Sequence, residues 1–97
     1  MKVVTMCGSM RFEKEMIKIA AELETKYNYC VIQCVYGLKN ITEEKKKQIG
    51  VIHYKKIDIS DAIYVVNIGG HIGESAKQEI EYAKAHNKEI IYHENIK

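Results

Sequence analysis

The chain has 97 residues, 46% hydrophobic and 29% charged, which suits one domain with a modest core and leaves no room for a second. A net charge of +2 is too small to mark a nucleic-acid polymer as partner, and no stretch approaches the about 18 apolar residues of a membrane-spanning helix. The N-terminus lacks the apolar core of a signal peptide and an odd count of three cysteines fits a reducing compartment, so the expected location is the cytosol, without a membrane partner.

Taken in chain order, Val3, Val4 and Met6 form a short β-like run that ends at Cys7–Gly8–Ser9. Phe12, Met16, Ile19, Ala20 and Leu23 then recur at helical spacing and predict a helix over 12–26 with one buried stripe. Residues 29–35 are rich in β-branched and aromatic side chains and predict a second strand, broken by Gly37 and Asn40. A second helix is expected from about Thr42 to Ile59, with acidic residues first and lysines later, and with a kink near Gly50. Within it, Lys45–Lys46–Lys47 follows Glu43–Glu44 and reads as a solvated helix face.

The run over 62–67 is the clearest strand, continuous enough in apolar residues to be buried on both faces. A glycine loop holds Gly69, Gly70, His71 and Gly73, and Ser75 with Gln78 reads as a capping box opening a third helix that ends near His86–Asn87. Residues 89–92 are a last short strand. Strict alternation of strand and helix predicts an α/β fold: a single three-layer domain over 1–97 with a small parallel sheet in the flavodoxin-like, Rossmann-like order 2-1-3-4. The switch point of such a sheet lies between strands one and three, and ligands bind there beyond the strand carboxyl ends.

Two segments meet at that crevice. In Cys7–Gly8–Ser9–Met10–Arg11 the glycine lets the backbone turn close to a ligand, Ser9 can cap the first helix, and Arg11 offers a donor fork for phosphate or carboxylate. Cys7 itself reads as a small buried hydrophobe, with a reactive thiol as the alternative. In the second segment, Gly69, Gly70 and Gly73 make a loop that needs close approach or unusual dihedrals, and Glu79 lies one turn into the helix that follows. A carboxylate there can attack the anomeric carbon of a ribose while a second acid assists the departing base; read from spacing alone it is equally a solvated helix residue. His53 is either a general acid or a helix-surface histidine, and Asp61 pins the start of its strand. His71, His86 and His93 form no metal-binding spacing, nor do the cysteines.

Three patches carry a family resemblance. Cys7–Gly8–Ser9–Met10–Arg11 is similar to a "CGSIR"-type opening, 60–66 to an "ADVVVA"-type strand, and Gly73 through Glu79 to Ala83 to a "G-x-x-x-E-[IL]-G-x-A" helix start. Together they resemble the nucleoside 2-deoxyribosyltransferase superfamily, including deoxynucleoside 5′-monophosphate N-glycosidases, and more distantly the cytokinin-activating phosphoribohydrolases. The resemblance implies a nucleoside or nucleotide as small-molecule partner, no metal or other cofactor, Glu79 as nucleophile, and sites shared between subunits of a homodimer or larger assembly. It implies a ligand site at Cys7, Gly8, Ser9, Met10, Arg11, Gly69, Gly70, His71, Gly73 and Ser75. The chain departs from the pattern at Thr5, where the family has Tyr, at His53, where it has a catalytic Asp, and in a Gly73-to-Glu79 interval two residues longer. These departures leave three readings open, a glycosidic enzyme with His53 as second catalytic group, a nucleotide-binding module without catalysis, and a small subunit whose main task is oligomerisation.

Overall fold

The computed structural model describes residues 1–95, a four-stranded all-parallel sheet with three α-helices. The strands are β1 (Val3–Gly8), β2 (Cys30–Ile32), β3 (Ala62–Val66) and β4 (Glu89–Tyr92), in the spatial order β2-β1-β3-β4. The helices are α1 (Glu13–Tyr27), α2 (Glu43–Asp58) and α3 (Glu74–Ala85). The predicted strand order is therefore the observed one, with β1 and β3 in register from Val4↔Ala62 to Gly8↔Val66.

Side-chain alternation along the strands divides the core into two clusters, one on each face of the sheet. Val4, Met6, Ala62, Tyr64 and Val66 face one way and pack on Met16, Ile19, Ala20 and Leu23 of α1. Cys7, Ile63 and Val65 face the other way, toward Ile57 of α2 and Ile80 and Ala83 of α3. All five residues of β3 are buried, as its uninterrupted apolar run requires of a strand covered on both faces. Polar groups at the rim close the remaining gaps. Asp61 accepts the Val3 N–H at 2.8 Å, and buried Asn67 pairs with the Glu94 backbone through both its amide nitrogen and its oxygen (3.0 and 2.7 Å).

Four local expectations are corrected. Ser9 does not cap α1; its hydroxyl accepts the Arg11 N–H and caps a 3₁₀ turn at Met10–Phe12 that precedes the helix. The second strand keeps three residues, because β2 is an edge strand paired only with β1, and left-handed Gly37 and Asn40 turn 33–41 into a loop over the strand ends. Helix α2 runs unbroken through Gly50 from its Thr42 cap, whose hydroxyl accepts the Lys45 N–H at 3.1 Å. No capping box forms at Ser75 and Gln78. Extended Gly73 is the N-cap of α3, so both residues already lie inside the helix. Among the described residues no helix is long and apolar enough to cross a membrane.

Candidate functional site

Beyond the carboxyl ends of β1 and β3 lies a cavity of about 950 Å³. Its walls come from the 8–13 segment, the 34–41 loop, α2 and the first turns of α3. This is the topological switch point, where the crossovers from β1 and β3 leave the sheet on opposite sides and open a crevice.

Three side chains meet at one wall. Cys7 ends the buried part of β1 and has no exposed surface. His53 sits on the inner face of α2, one turn before Ile57, so the same docking that buries Ile57 points the imidazole at β1. Glu79 is next to Ile80 on α3 and reaches the same point from the second turn. The Cys7 Sγ to His53 Nε2 distance is 3.5 Å and His53 Nε2 to Glu79 Oε1 is 3.3 Å, with the two latter side chains only 11% and 17% exposed. Both contacts use the same ring nitrogen.

The electrostatics of this wall are dominated by burial and by the Glu79 charge. Burial first, then the neighbouring Glu79 carboxylate, push the Cys7 thiol well above its ordinary value, so it is a neutral thiol here. The same two causes in the same order push Cys34 to about 11 and raise Tyr54. Cys34 donates to the Met6 carbonyl at 3.1 Å and lines the cavity with Val35, Leu38 and Ile49.

Of the residues singled out in the sequence, Gly8, Ser9, Met10, Gly73, Ser75, His53 and Glu79 line the cavity, and Cys7 lies directly behind it. Arg11, Gly69, Gly70 and His71 do not. The exposed Arg11 guanidinium lies 5.9 Å from the Phe12 ring centroid, and His71 stands edge-on to the same ring at 5.8 Å between centroids. Gly69 and Gly70 have φ of +66° and +80°, and the Gly69 N–H donates to Glu94 at 3.1 Å. The glycines serve the turn itself. Gly8 likewise serves packing, since a Cβ there would lie 2.9 Å from the Met16 sulfur.

Two catalytic groups flanking a glycosidic bond stand roughly 5–10 Å apart on opposite sides of it. His53 lies against Glu79 instead, because α2 and α3 pack on the same face of the sheet. The Glu79 charge therefore faces the imidazole and the thiol; at the second turn it is past the free amides of the helix start. Asp58, one turn beyond His53 on α2, accepts the Tyr82 hydroxyl at 2.5 Å and is exposed. The other cavity carboxylates are Glu13, which accepts the Gly37 N–H at 2.8 Å, and exposed Glu74, 3.4 Å from Lys77.

Sequence reasoning missed the cavity's cations, Lys39, Lys46 and Lys56. Lys46 belongs to the run read as a solvated face and does pair with Glu43 at 3.4 Å, yet it also borders the opening. Lys56 donates to the Gln33 carbonyl at 2.8 Å and fastens α2 to the loop. The signal for Lys46 and Lys56 was the α2 stripe Lys46, Ile49, His53, Lys56, spaced by three, four and three residues on one helical face. No family model, curated protein or solved structure matches the chain.

Proposed function

We propose that the cavity binds a nucleoside or nucleotide and that Glu79 cleaves or transfers its N-glycosidic bond as nucleophile, in the cytosol. The observation that carries this reading is Glu79 itself, a largely enclosed carboxylate on the wall of a large cavity at the switch point, beside Gly8, Ser9 and Gly73. The carboxylate attacks the anomeric carbon as the C–N bond breaks, the base leaves with its electron pair and takes a proton from solvent, and water or a second base then resolves the glycosyl ester. Contact with His53 fixes the carboxylate in one orientation. The apolar wall of Val35, Leu38, Ile41 and Ile49 suits a base, and Lys39 and Lys46 suit a phosphate. Val51 and Ile52 on α2 and Ile59 at its C-cap, exposed at 69, 53 and 61%, support a homodimer as part of this reading, which sedimentation at micromolar concentration tests.

The test is release of free base from a panel of nucleosides, deoxynucleosides and their 5′-monophosphates, measured in the presence of a metal chelator. Turnover that falls at least about a thousandfold in Glu79→Gln, with binding retained, is the expected result. A second reading, a nucleotide-binding module without catalysis, is favoured by one observation: His53 lies against Glu79 and not across the cavity. Calorimetric binding of a panel member with no base released from any of them establishes that reading and refutes the enzyme.

A further inference from the structure

We propose that Cys7, His53 and Glu79 form a zinc-binding site at the wall of the cavity, with its fourth coordination position open to the cavity. The three side chains come from β1, α2 and α3, and their donor atoms all lie within 4.8 Å of one another. Thiolate, imidazole and carboxylate are the three ligand types zinc takes.

Two of the three edges match a tetrahedral ion, and the third, Cys7 Sγ to Glu79, closes from at most 4.8 Å to about 3.5 Å when the Glu79 side chain turns onto the ion. Zinc bonds of about 2.3 Å to sulfur and about 2.0–2.1 Å to nitrogen and oxygen give an S···N edge of about 3.5 Å and an N···O edge of about 3.3 Å. The observed edges are 3.5 Å from Cys7 Sγ to His53 Nε2 and 3.3 Å from His53 Nε2 to Glu79 Oε1. Without an ion, the arrangement is poorly satisfied. An imidazole nitrogen carries either one hydrogen or one lone pair, so Nε2 can serve only one of its two neighbours, whereas an ion at the centre engages all three donors. Charge also balances: a thiolate and a carboxylate around a neutral imidazole offset the two positive charges of the ion.

Two rival uses of the cluster fail on geometry. A thiol–imidazole–carboxylate relay needs the acid on the other ring nitrogen, and here both partners contact Nε2. A nucleophilic cysteine must reach its substrate, and Cys7 has no exposed surface. Magnesium and calcium prefer an all-oxygen set, which excludes them at a thiolate and an imidazole. The open position follows from the cavity, which His53 and Glu79 border and through which the ion enters. The site goes beyond the glycosidic reading and limits it, because coordination withdraws electron density from the Glu79 carboxylate and holds it toward the ion. Zinc occupancy therefore slows that chemistry.

The test titrates the full chain, stripped with a chelator under a thiol-preserving reductant, with Co²⁺ alone as spectroscopic probe and then with Zn²⁺ alone in competition with a chromophoric chelator. One Co²⁺ per chain with the visible bands of tetrahedral cobalt and a thiolate-to-cobalt charge-transfer band is expected, and Zn²⁺ displaces it. Cys7→Ser loses the charge-transfer band and weakens Zn²⁺ binding by more than about 100-fold, while Cys30→Ser, at an exposed position, keeps both. Glu79→Gln keeps the charge-transfer band and weakens binding, which provides a second arm should Cys7→Ser fail to fold by circular dichroism. Absence of tetrahedral bands, or bands that survive Cys7→Ser and vanish in Cys34→Ser, overturns the site. Base release by the chelated protein is read separately, so either reading can fail without the other.

Discussion

Gly8 closes β1 at the lip of the cavity, and substituting it with alanine separates a packing role from a ligand-approach role. A Cβ built there lies 2.9 Å from the Met16 sulfur, 3.3 Å from the Val66 Cβ and 3.4 Å from the Val66 carbonyl oxygen. Met16 and Val66 are both buried, at 0% and 1% exposure, so the sulfur has no solvent to retreat into, and Val66 is held by its register with Gly8 itself. Forcing one methyl into such a spot costs about 1–3 kcal/mol. In a domain of this size that lowers the midpoint of thermal unfolding by about 5–20 °C.

The competing expectation has the opposite sign. Gly8 has no left-handed φ, and an alanine that fits a strand without a clash stabilises by about 0.4–1 kcal/mol through the unfolded chain. Urea unfolding followed by circular dichroism measures the difference directly. A coupling test isolates the contact: in a Met16→Ala background the sulfur is gone, and the cost of Gly8→Ala should shrink by about 1 kcal/mol or more. Gly8→Ala at or above wild-type stability would refute the packing argument and return Gly8 to the ligand.

Two further outcomes are expected. Gly50→Ala, in mid-α2 with nothing within 4 Å of the added Cβ, raises stability by about 0.5–1 kcal/mol, whereas Gly69→Ala, at φ +66°, lowers it by about 1 kcal/mol; urea melts of the two variants should move in opposite directions. Cys34, pushed by burial from 9.0 to about 11, stays a thiol when the unfolded chain ionises, so stability is full below about pH 9 and falls by about 2–3 kcal/mol as pH rises to about 11. Cys34→Ser removes that share of the slope in pH-dependent urea melts and leaves the share of buried Cys7.

The topology was legible because β3 is an unbroken apolar run and the segments around it alternate in period, which leaves few right-handed solutions. Glu79 was legible as a candidate from its helix and its family-like surroundings, and the structure does bring it to the crevice. His53 was ambiguous because α2 is polar on most of its surface, and only the docking of Ile57 reveals which turn faces β1. The cluster with Cys7 could not be read from spacing, since 46 residues separate Cys7 from His53 and the contact exists only after the β2–β3 crossover. Gly69 and Gly70 misled because a positive φ and a ligand-binding backbone demand the same residue type. The 33–41 wall was hidden by apolar residues that read equally as strand.

The way α2 is held connects this cluster to the behaviour of the whole cavity. Its buried residues are Ile57 and His53 alone, and Tyr54 adds a tilted contact with Tyr82 at 4.5 Å between ring centroids. The remaining ties are polar, among them Thr5 Oγ1 to the Lys56 carbonyl at 3.0 Å, Lys56 Nζ to the Gln33 carbonyl at 2.8 Å, the Tyr82 hydroxyl to Asp58 at 2.5 Å and Lys88 Nζ to the Asp58 carbonyl at 2.9 Å. A helix attached by so little apolar surface lies at the low end of local stability. Yet Ile49, His53 and Lys56 supply one side of the cavity, and His53 is both anchor and site residue. Whatever fills the cavity or bridges His53 to Cys7 and Glu79 thus also docks α2, and at a hundredfold excess over its dissociation constant it adds about 2.7 kcal/mol to that docking. An apolar residue at position 53 would anchor the helix without a ligand, and would at the same stroke remove the nitrogen that holds the cluster together. The polar anchor is therefore best explained as the consequence of placing a binding group in the core layer between α2 and β1.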